Sequence, residues 1–477
     1  MTREKSALGD MSDYRLYRII IVLMMVEVLS SLEISMVFTA FPTIQREFND
    51  PHMTSWLLTS FLLVQAGTAA VGGRLGDIFG RKRLLVIIIT VCVLGSLISA
   101  VAPNLELIIL GRALQGVSGA ILPLCYGITR QVTTPKSAPF FIGCLTGAYA
   151  FAAAMGYVVA GYLTDMGSWR YIFWFTVIYG AAVLPLHLLV VPERRTPPVS
   201  KNLDILGGLL FMPAIACLLY GVMLVGKLGW SAADTLVFLS AGAAILAYWI
   251  WHETRQEDPL IDVGLLREPK IAMGNVCIFL VGMGASQIGL ISMIILQQPA
   301  ATGVGFGVTA TLAGILKLPC NVAITASAAL SGWIAGKFGA HRAVLQGAVI
   351  GTLAWGCLIF FHHSLWFVIL GTIVAGFSIG MLLAGLPNMI LEASPLERSS
   401  ETTGLAAVLR GIGITMGAQI LTTILAGSRV SLPGSDANFA SETAYEQCFG
   451  YITLTLAVIV MLCLFISHQR LNRPAAT

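Results

Sequence analysis

The sequence predicts an all-α membrane protein with fourteen transmembrane helices laid out as six, two and six, the sixes forming two pseudo-symmetric bundles. Composition is the first reason. Of 477 residues, 57% are hydrophobic and only 11% charged, whereas globular domains average about 25% charged. Spacing is the second: apolar runs of roughly twenty residues, enough to cross a ~30 Å hydrocarbon layer, recur along the chain. The third is a charged, glycine-rich loop at 73–83, GRLGDIFGRKR, which returns in weakened form at 332–342, GWIAGKFGAHR.

A basic start (Arg3, Lys5, Arg15, Arg18) leads into a first span near 18–42. That run is too long for the apolar core of a signal peptide, holds two glutamates and shows no evident cleavage site, so it reads as a retained helix. Five more spans near 54–74, 84–102, 105–127, 138–163 and 170–191 complete a first six-helix domain, 1–195. The proline-broken segment 192–201, PERRTPPVSK, closes it. Two extra spans near 204–226 and 233–252 belong to a linker domain, 196–266. Spans near 271–296, 308–330, 343–361, 364–388, 402–426 and 448–467 make up the second bundle, 267–477.

An even count puts both termini on one side. Of 28 Lys and Arg, 21 fall in segments on that side, four opposite (Arg46, Arg170, Lys227, Arg429) and three in mid-span (Arg112, Lys317, Arg410). Basic residues in short loops stay cytoplasmic, so both termini are expected inside a plasma or bacterial inner membrane. The loop at 73–83 shares that side. Its Gly73, Gly76 and Gly80 permit close backbone contact and a sharp reversal. Asp77 falls where the preceding helix is expected to end, an unfavourable place for a carboxylate unless a cation or another helix's N-terminus answers it. Gly73, Asp77, Gly80, Arg81 and Arg83 therefore form a candidate conformational latch.

Several function classes drop out. The net charge of +4 reflects loop topology, not a nucleic-acid partner. Nine scattered cysteines show no C-x-x-C spacing and read as small core residues. Seven histidines show no H-x-x-x-H or H-x-x-H spacing, only the adjacent His362-His363 by a loop, which argues against a metal-dependent enzyme. No metal or cofactor is expected. The stretch 221–228, GVMLVGKL, mimics a phosphate-binding loop, but Leu228 replaces the required Ser or Thr and the run is apolar.

The loop at 73–83 resembles the signature loop of the major facilitator superfamily of transporters. The six-two-six layout is similar to that family's fourteen-helix drug/proton antiporter branch. Trp56, the SWRYIF run at 168–173 and Gly229-Trp230 look like that branch too. Residues 32–42, LEISMVFTAFP, resemble its first-helix motif with Glu33 in place of aspartate, and 110–119, LGRALQGVSG, its fourth-helix motif with Arg112, Gln115, Gly116 and Gly119 matching. The resemblance implies a major facilitator fold, proton coupling through Glu33 and Arg112, and a substrate site at the midplane between halves. One motif departs. Where the family's antiporters carry G-x-x-x-G-P-x-x-G-G, residues 152–161 read AAAMGYVVAG, with Tyr157 at the proline position. Symport is therefore a live alternative to export.

Ionisable residues at mid-span are costly and mark function by default. At 1.5 Å per residue, Glu33, Arg112 and Lys317 lie at one depth, roughly 10–13 Å from the outer face; Glu27 and Arg410 lie at another, ~12–13 Å from the inner face. Burial favours the neutral form of Glu33 and a nearby guanidinium the charged form, so a small rearrangement would switch it. The bland alternative is a static Glu33–Arg112 pair with Gln115 as packing. Glu27, about 240° round the helix from Glu33, faces other neighbours and serves the proton, a cationic substrate, or only charge balance with Arg410. Lys317, just before Pro319, could bind an anionic substrate, pair with Glu33 or snorkel outward. Gln115, Tyr126, Tyr149, Tyr157 and Gln287 complete the candidate cavity, although most such residues in any bundle are interhelical packing.

The expected function is a proton-coupled secondary transporter exporting lipophilic or cationic small molecules by alternating access, with the lipid bilayer, a small-molecule substrate and protons as partners, and active as a monomer. A symporter for an organic anion or metabolite is the alternative. A transporter-like sensor comes third.

Overall fold

The structure, a computed structural model, describes residues 13–48, 51–193, 204–256, 259, 262–431 and 438–471. The domain boundary expected at 195/196 and both chain ends lie outside them. Among the described residues, fourteen helices are long and apolar enough to cross a membrane. The first bundle holds α1 (Asp13–Phe48), α2 (Pro51–Phe79), α3 (Arg81–Val101), α4 (Leu105–Val132), α5 (Ala138–Asp165) and α6 (Arg170–Val190). The extra pair is α7 (Ile205–Leu228) and α8 (Ala233–Glu253). The second bundle holds α9 (Pro269–Gln297), α10 (Ala310–Phe338), α11 (Ala340–Phe360), α12 (Leu365–Ala393), α13 (Ser399–Gly427) and α14 (Glu442–Leu471). In hydrocarbon each backbone polar group must be satisfied within its own segment, so the long apolar runs become helices.

Polar side chains start several of them. Asn104 accepts from the Leu107 amide at 3.1 Å, Asp204 from Gly207 at 2.8 Å and Thr309 from Leu312 at 3.3 Å, each satisfying an amide that the helix leaves open. α4 tightens to a 3-10 turn over Gly116–Ala120. There it presses on α2: a Cβ on Gly119 would overlap the Gln65 carbonyl, and one on Gly116 would stand 2.7 Å from that of Phe61.

α2 corrects the expected span near 54–74. The helix runs on through Asp77 to Phe79, and the reversal is confined to Gly80, whose φ is 104°. Gly73 and Gly76 serve packing instead, since Cβ atoms there would overlap the Ser400 carbonyl and the Leu124 side chain. Between α13 and α14 the chain forms a hairpin of β1 (Arg429–Ser431) and β2 (Asn438–Ala440), an element the sequence pattern does not signal.

The bundles meet along two helix pairs, α2 with α13 and α5 with α10. Small residues bring the backbones together: a Cβ on Gly404 would overlap the Ala69 carbonyl, one on Gly332 that of Pro139 and one on Gly143 that of Ala328. Lipid tails are as apolar as leucine, so such close contact is what holds membrane helices together. Gly336, which takes the place of Asp77 in the second copy of the loop, lies against the Lys136 carbonyl. Glycine contact there replaces the charge. The extra pair covers the α2–α13 seam, with Phe211 and Trp249 (ring centroids 4.9 Å apart) packed beside Ala69, Ala70 and Val408.

Candidate functional site

Where α4, α5, α9, α12 and α13 converge between the bundles, a small cavity is lined by residues including Tyr126, Thr146, Tyr149, Pro387 and Arg410. Tyr126 and Thr146 hydrogen-bond through their hydroxyls at 2.7 Å. Glu27 on α1 stands behind this wall, wholly buried, with no hydrogen bond to either carboxylate oxygen among the described residues. Glu27 and Arg410 act electrostatically on each other and on Tyr126 and Tyr149. No ion pair joins them in this conformation, and no hydrogen bond of the Arg410 guanidinium is found among the described residues. Arg410 thus lines the cavity and Glu27 lies behind its wall, and the two do not touch.

A second buried centre lies inside the first bundle. Arg112 donates from Nε to the Leu57 carbonyl at 3.1 Å, and from one terminal nitrogen to the Glu33 carbonyl at 2.9 Å and to Gln115 Oε1 at 2.6 Å. Its guanidinium also sits 4.1 Å from the Phe61 ring centre. Gln115 passes the network on by donating to Ser96 at 2.6 Å. Arg112 therefore binds the backbone of Glu33 and not its carboxylate, so the static ion pair weighed from sequence is absent. The Glu33 carboxyl lies amid Arg112, Ser118 and Cys92, with the serine hydroxyl and the cysteine thiol directed at it at looser than regular hydrogen-bond geometry.

Of the residues expected in the cavity, Tyr126, Tyr149 and Arg410 line it, Glu27 stands behind it and four lie elsewhere. Gln115 is buried and fully engaged by Arg112 and Ser96. Gln287 donates to the carbonyls of Gly282 and Ile414 at 3.0 and 2.9 Å, stapling the break in α9 to α13. Lys317 has its ammonium beside Gly289 of α9 and near Cys320. Tyr157 on α5 is 49% exposed and lies near Tyr149.

At one end of the molecule the loop between α2 and α3 locks the bundles together. Asp77 bonds Arg81 at 2.7 Å, and its other oxygen accepts from the Glu401 backbone amide, in the first turn of α13, at 3.1 Å. Arg81 reaches the carbonyls of Gly127 at 2.7 Å and Leu396 at 2.9 Å. Gly73 and Gly80 supply the close approach and the turn. Arg83 does not join the lock; it is exposed and pairs with Glu193 beyond α6.

Sequence reading missed part of this end. Arg74, buried one turn before Asp77, pairs with the Glu401 carboxylate at 3.3 Å. Arg130 bonds Ser399 at 2.6 Å. Asp262 donates its backbone amide to Glu401 at 2.8 Å and accepts from Arg398 at 2.7 Å. The signal available was spacing: Arg74 and Asp77 are three apart on α2, and Arg398 and Glu401 three apart at the start of α13.

A family model described as Major Facilitator Superfamily matches residues 23–418. Multidrug resistance protein Stp of Mycobacterium tuberculosis (strain CDC 1551 / Oshkosh) is 28% identical over 399 residues, covering 83% of this chain and 73% of its own length. The probable actinorhodin transporter of Streptomyces coelicolor is 29% identical over 420 residues, covering 84% of this chain and 71% of its own. The human organic anion transporter MFSD10 superposes with a TM-score of 0.68 over 94% of this chain and 99% of its own, at 13% identity, which speaks to the fold. With fourteen apolar helices, paired bundles and a family match across most of its length, the chain is a multi-pass integral membrane protein that belongs to the major facilitator superfamily of transporters.

Proposed function

We propose that the chain is a proton-coupled exporter of small lipophilic or cationic molecules, working as a monomer in a cell membrane by alternating access, with the latch and both termini on the cytoplasmic side. The observation that carries this is Glu27: a carboxyl wholly buried, without a hydrogen bond, across a cavity wall from Arg410. A buried, unpartnered carboxylate costs several kcal/mol, so Glu27 holds a proton in this conformation and releases it when a cation reaches it. A rocking motion of α13 that brings Arg410 to Glu27, or a cationic substrate entering beside it, supplies that cation. Glu33 and Arg112 form a second protonation centre, and Tyr149 and Tyr157 line the substrate's path.

Asp77, Arg81, Arg74 and Glu401 hold the cytoplasmic end shut, so this conformation is inward-closed and must break the latch to load from inside. The names of the two bacterial relatives, a multidrug resistance protein and a probable actinorhodin transporter, support small-molecule export. A second reading has its own observation. Arg410 lines the cavity with no ion-pair partner among the described residues, which favours an organic anion moved with the proton; Lys317 would add a second positive charge.

The test uses purified protein of known orientation in liposomes loaded with acid buffer and placed in alkaline medium with a fluorescent lipophilic cation. Wild type is expected to accumulate dye, and Glu27→Gln or a protonophore to abolish accumulation. Dye that binds to wild type but is never accumulated overturns cation export, and anions are then tried with Arg410→Gln as the control.

A further inference from the structure

At the end of the molecule opposite the latch, the turn between α11 and α12 sets two imidazoles beside the first residue of α14. His363 Nε2 stands 3.4 Å from Glu442 Oε1, and His362 Nε2 stands 3.9 Å from the same oxygen. The three candidate ligand atoms lie within 4.8 Å of one another. His362 is wholly buried, and its Nδ1 faces the carbonyl oxygens of Leu358 at 3.0 Å and Ile359 at 3.1 Å. A ring nitrogen facing two acceptors carries the hydrogen, which leaves the lone pair of the neutral ring on Nε2. That Nε2 is buried, has no hydrogen-bond partner among the described residues and is aimed at a carboxylate. Two acceptors facing each other across 3.9 Å repel unless a cation lies between them.

We propose that His362, His363 and Glu442 bind a divalent transition-metal ion, Zn²⁺ in the first instance. Two imidazoles and one carboxylate form a known zinc ligand set, with a fourth position left to water, and imidazole nitrogen selects zinc, copper or nickel over calcium and magnesium. The spacing fits. Bonds of about 2.1 Å in a tetrahedron put neighbouring ligand atoms roughly 3.4 Å apart, so the two histidine–glutamate edges need little change. The edge between the imidazoles closes by movement of His363, which is exposed and free to turn. Donation from His362 Nδ1 to backbone carbonyl supplies the outer bond that orients metal-ligating histidines. Glu442 stands two residues past the end of β2, so the ion ties β2 and the start of α14 to the α11–α12 turn, all within the second bundle. The site touches neither the cavity nor the latch and stands independently of the transport reading.

The test is titration of the full-length protein, purified without a polyhistidine tag, with Zn²⁺ by calorimetry and with Co²⁺ by visible absorption. Wild type is expected to bind one equivalent, to show the visible bands of four-coordinate Co²⁺ and to melt at a higher temperature with Zn²⁺ present. His363→Ala and Glu442→Gln, both at exposed positions, are each expected to weaken Zn²⁺ binding by tenfold or more and to abolish the bands. Wild type that fails to bind Zn²⁺, or that binds it as tightly as both variants, overturns the proposal.

Discussion

A guanidinium inside a membrane has to find acceptors or remain a buried, unpaid charge, and Arg112 finds the Leu57 and Glu33 carbonyls and Gln115 Oε1 while stacking on Phe61. A lysine carries a compact ammonium on a flexible stem and cannot make that planar fork. Arg112→Lys is therefore expected to cut proton-driven transport at least tenfold, read in the liposome assay, while Gln115→Glu restores none of it. Gln287 gives the contrasting outcome. Its amide holds two carbonyls, so Gln287→Ala is expected to cost about 1–3 kcal/mol of stability and to leave substrate affinity unchanged, measured as a melting temperature and a binding constant on the same sample. Sequence marked both residues as polar groups at helical depth. It does not say which way each one turns.

Among the elements, the α2–α13 pair joins the bundles at the end that carries the charged loop. Gly73 lets α2 touch the start of α13, and the four buried charges Arg74, Asp77, Arg81 and Glu401 balance two against two. Removing one partner of a buried pair costs about 3–5 kcal/mol because the other is left alone. Asp77→Asn and Gly73→Val are expected to populate the latch-open state. Spin labels at the exposed Phe79 and Leu396 would report it as a longer distance than in the parent protein. Gly161→Ala meets nothing within 4 Å and is expected to leave the distance unchanged. The charged loop was legible because it is local. Its partner is more than 320 residues away, and only the start of a later helix, read as a source of unpaired amides, hinted at it.

At the scale of the whole molecule the extra helices α7 and α8 lie over the seam where the bundles meet, with Trp249 and Phe211 against Ala69, Ala70 and Val408. In lipid this packing gains little from leaving water and depends on shape. Trp249→Ala is expected to lower stability by up to about 3 kcal/mol, seen as a lower melting temperature in detergent, and to act on both bundles together because the seam touches both.

Sequence alone determined the span count and the paired loops, because length, composition and helical rise are one-dimensional quantities. Tertiary structure decided what each charge meets. Arg112 grips the backbone of Glu33 and not its carboxylate, Glu27 faces Arg410 across the cavity wall, and His362 and His363 meet Glu442 some eighty residues on. In a membrane every face of a helix is apolar, so periodicity says little about rotation. Rotation is set by which glycines let which backbones touch, and that follows only when all the helices are packed together.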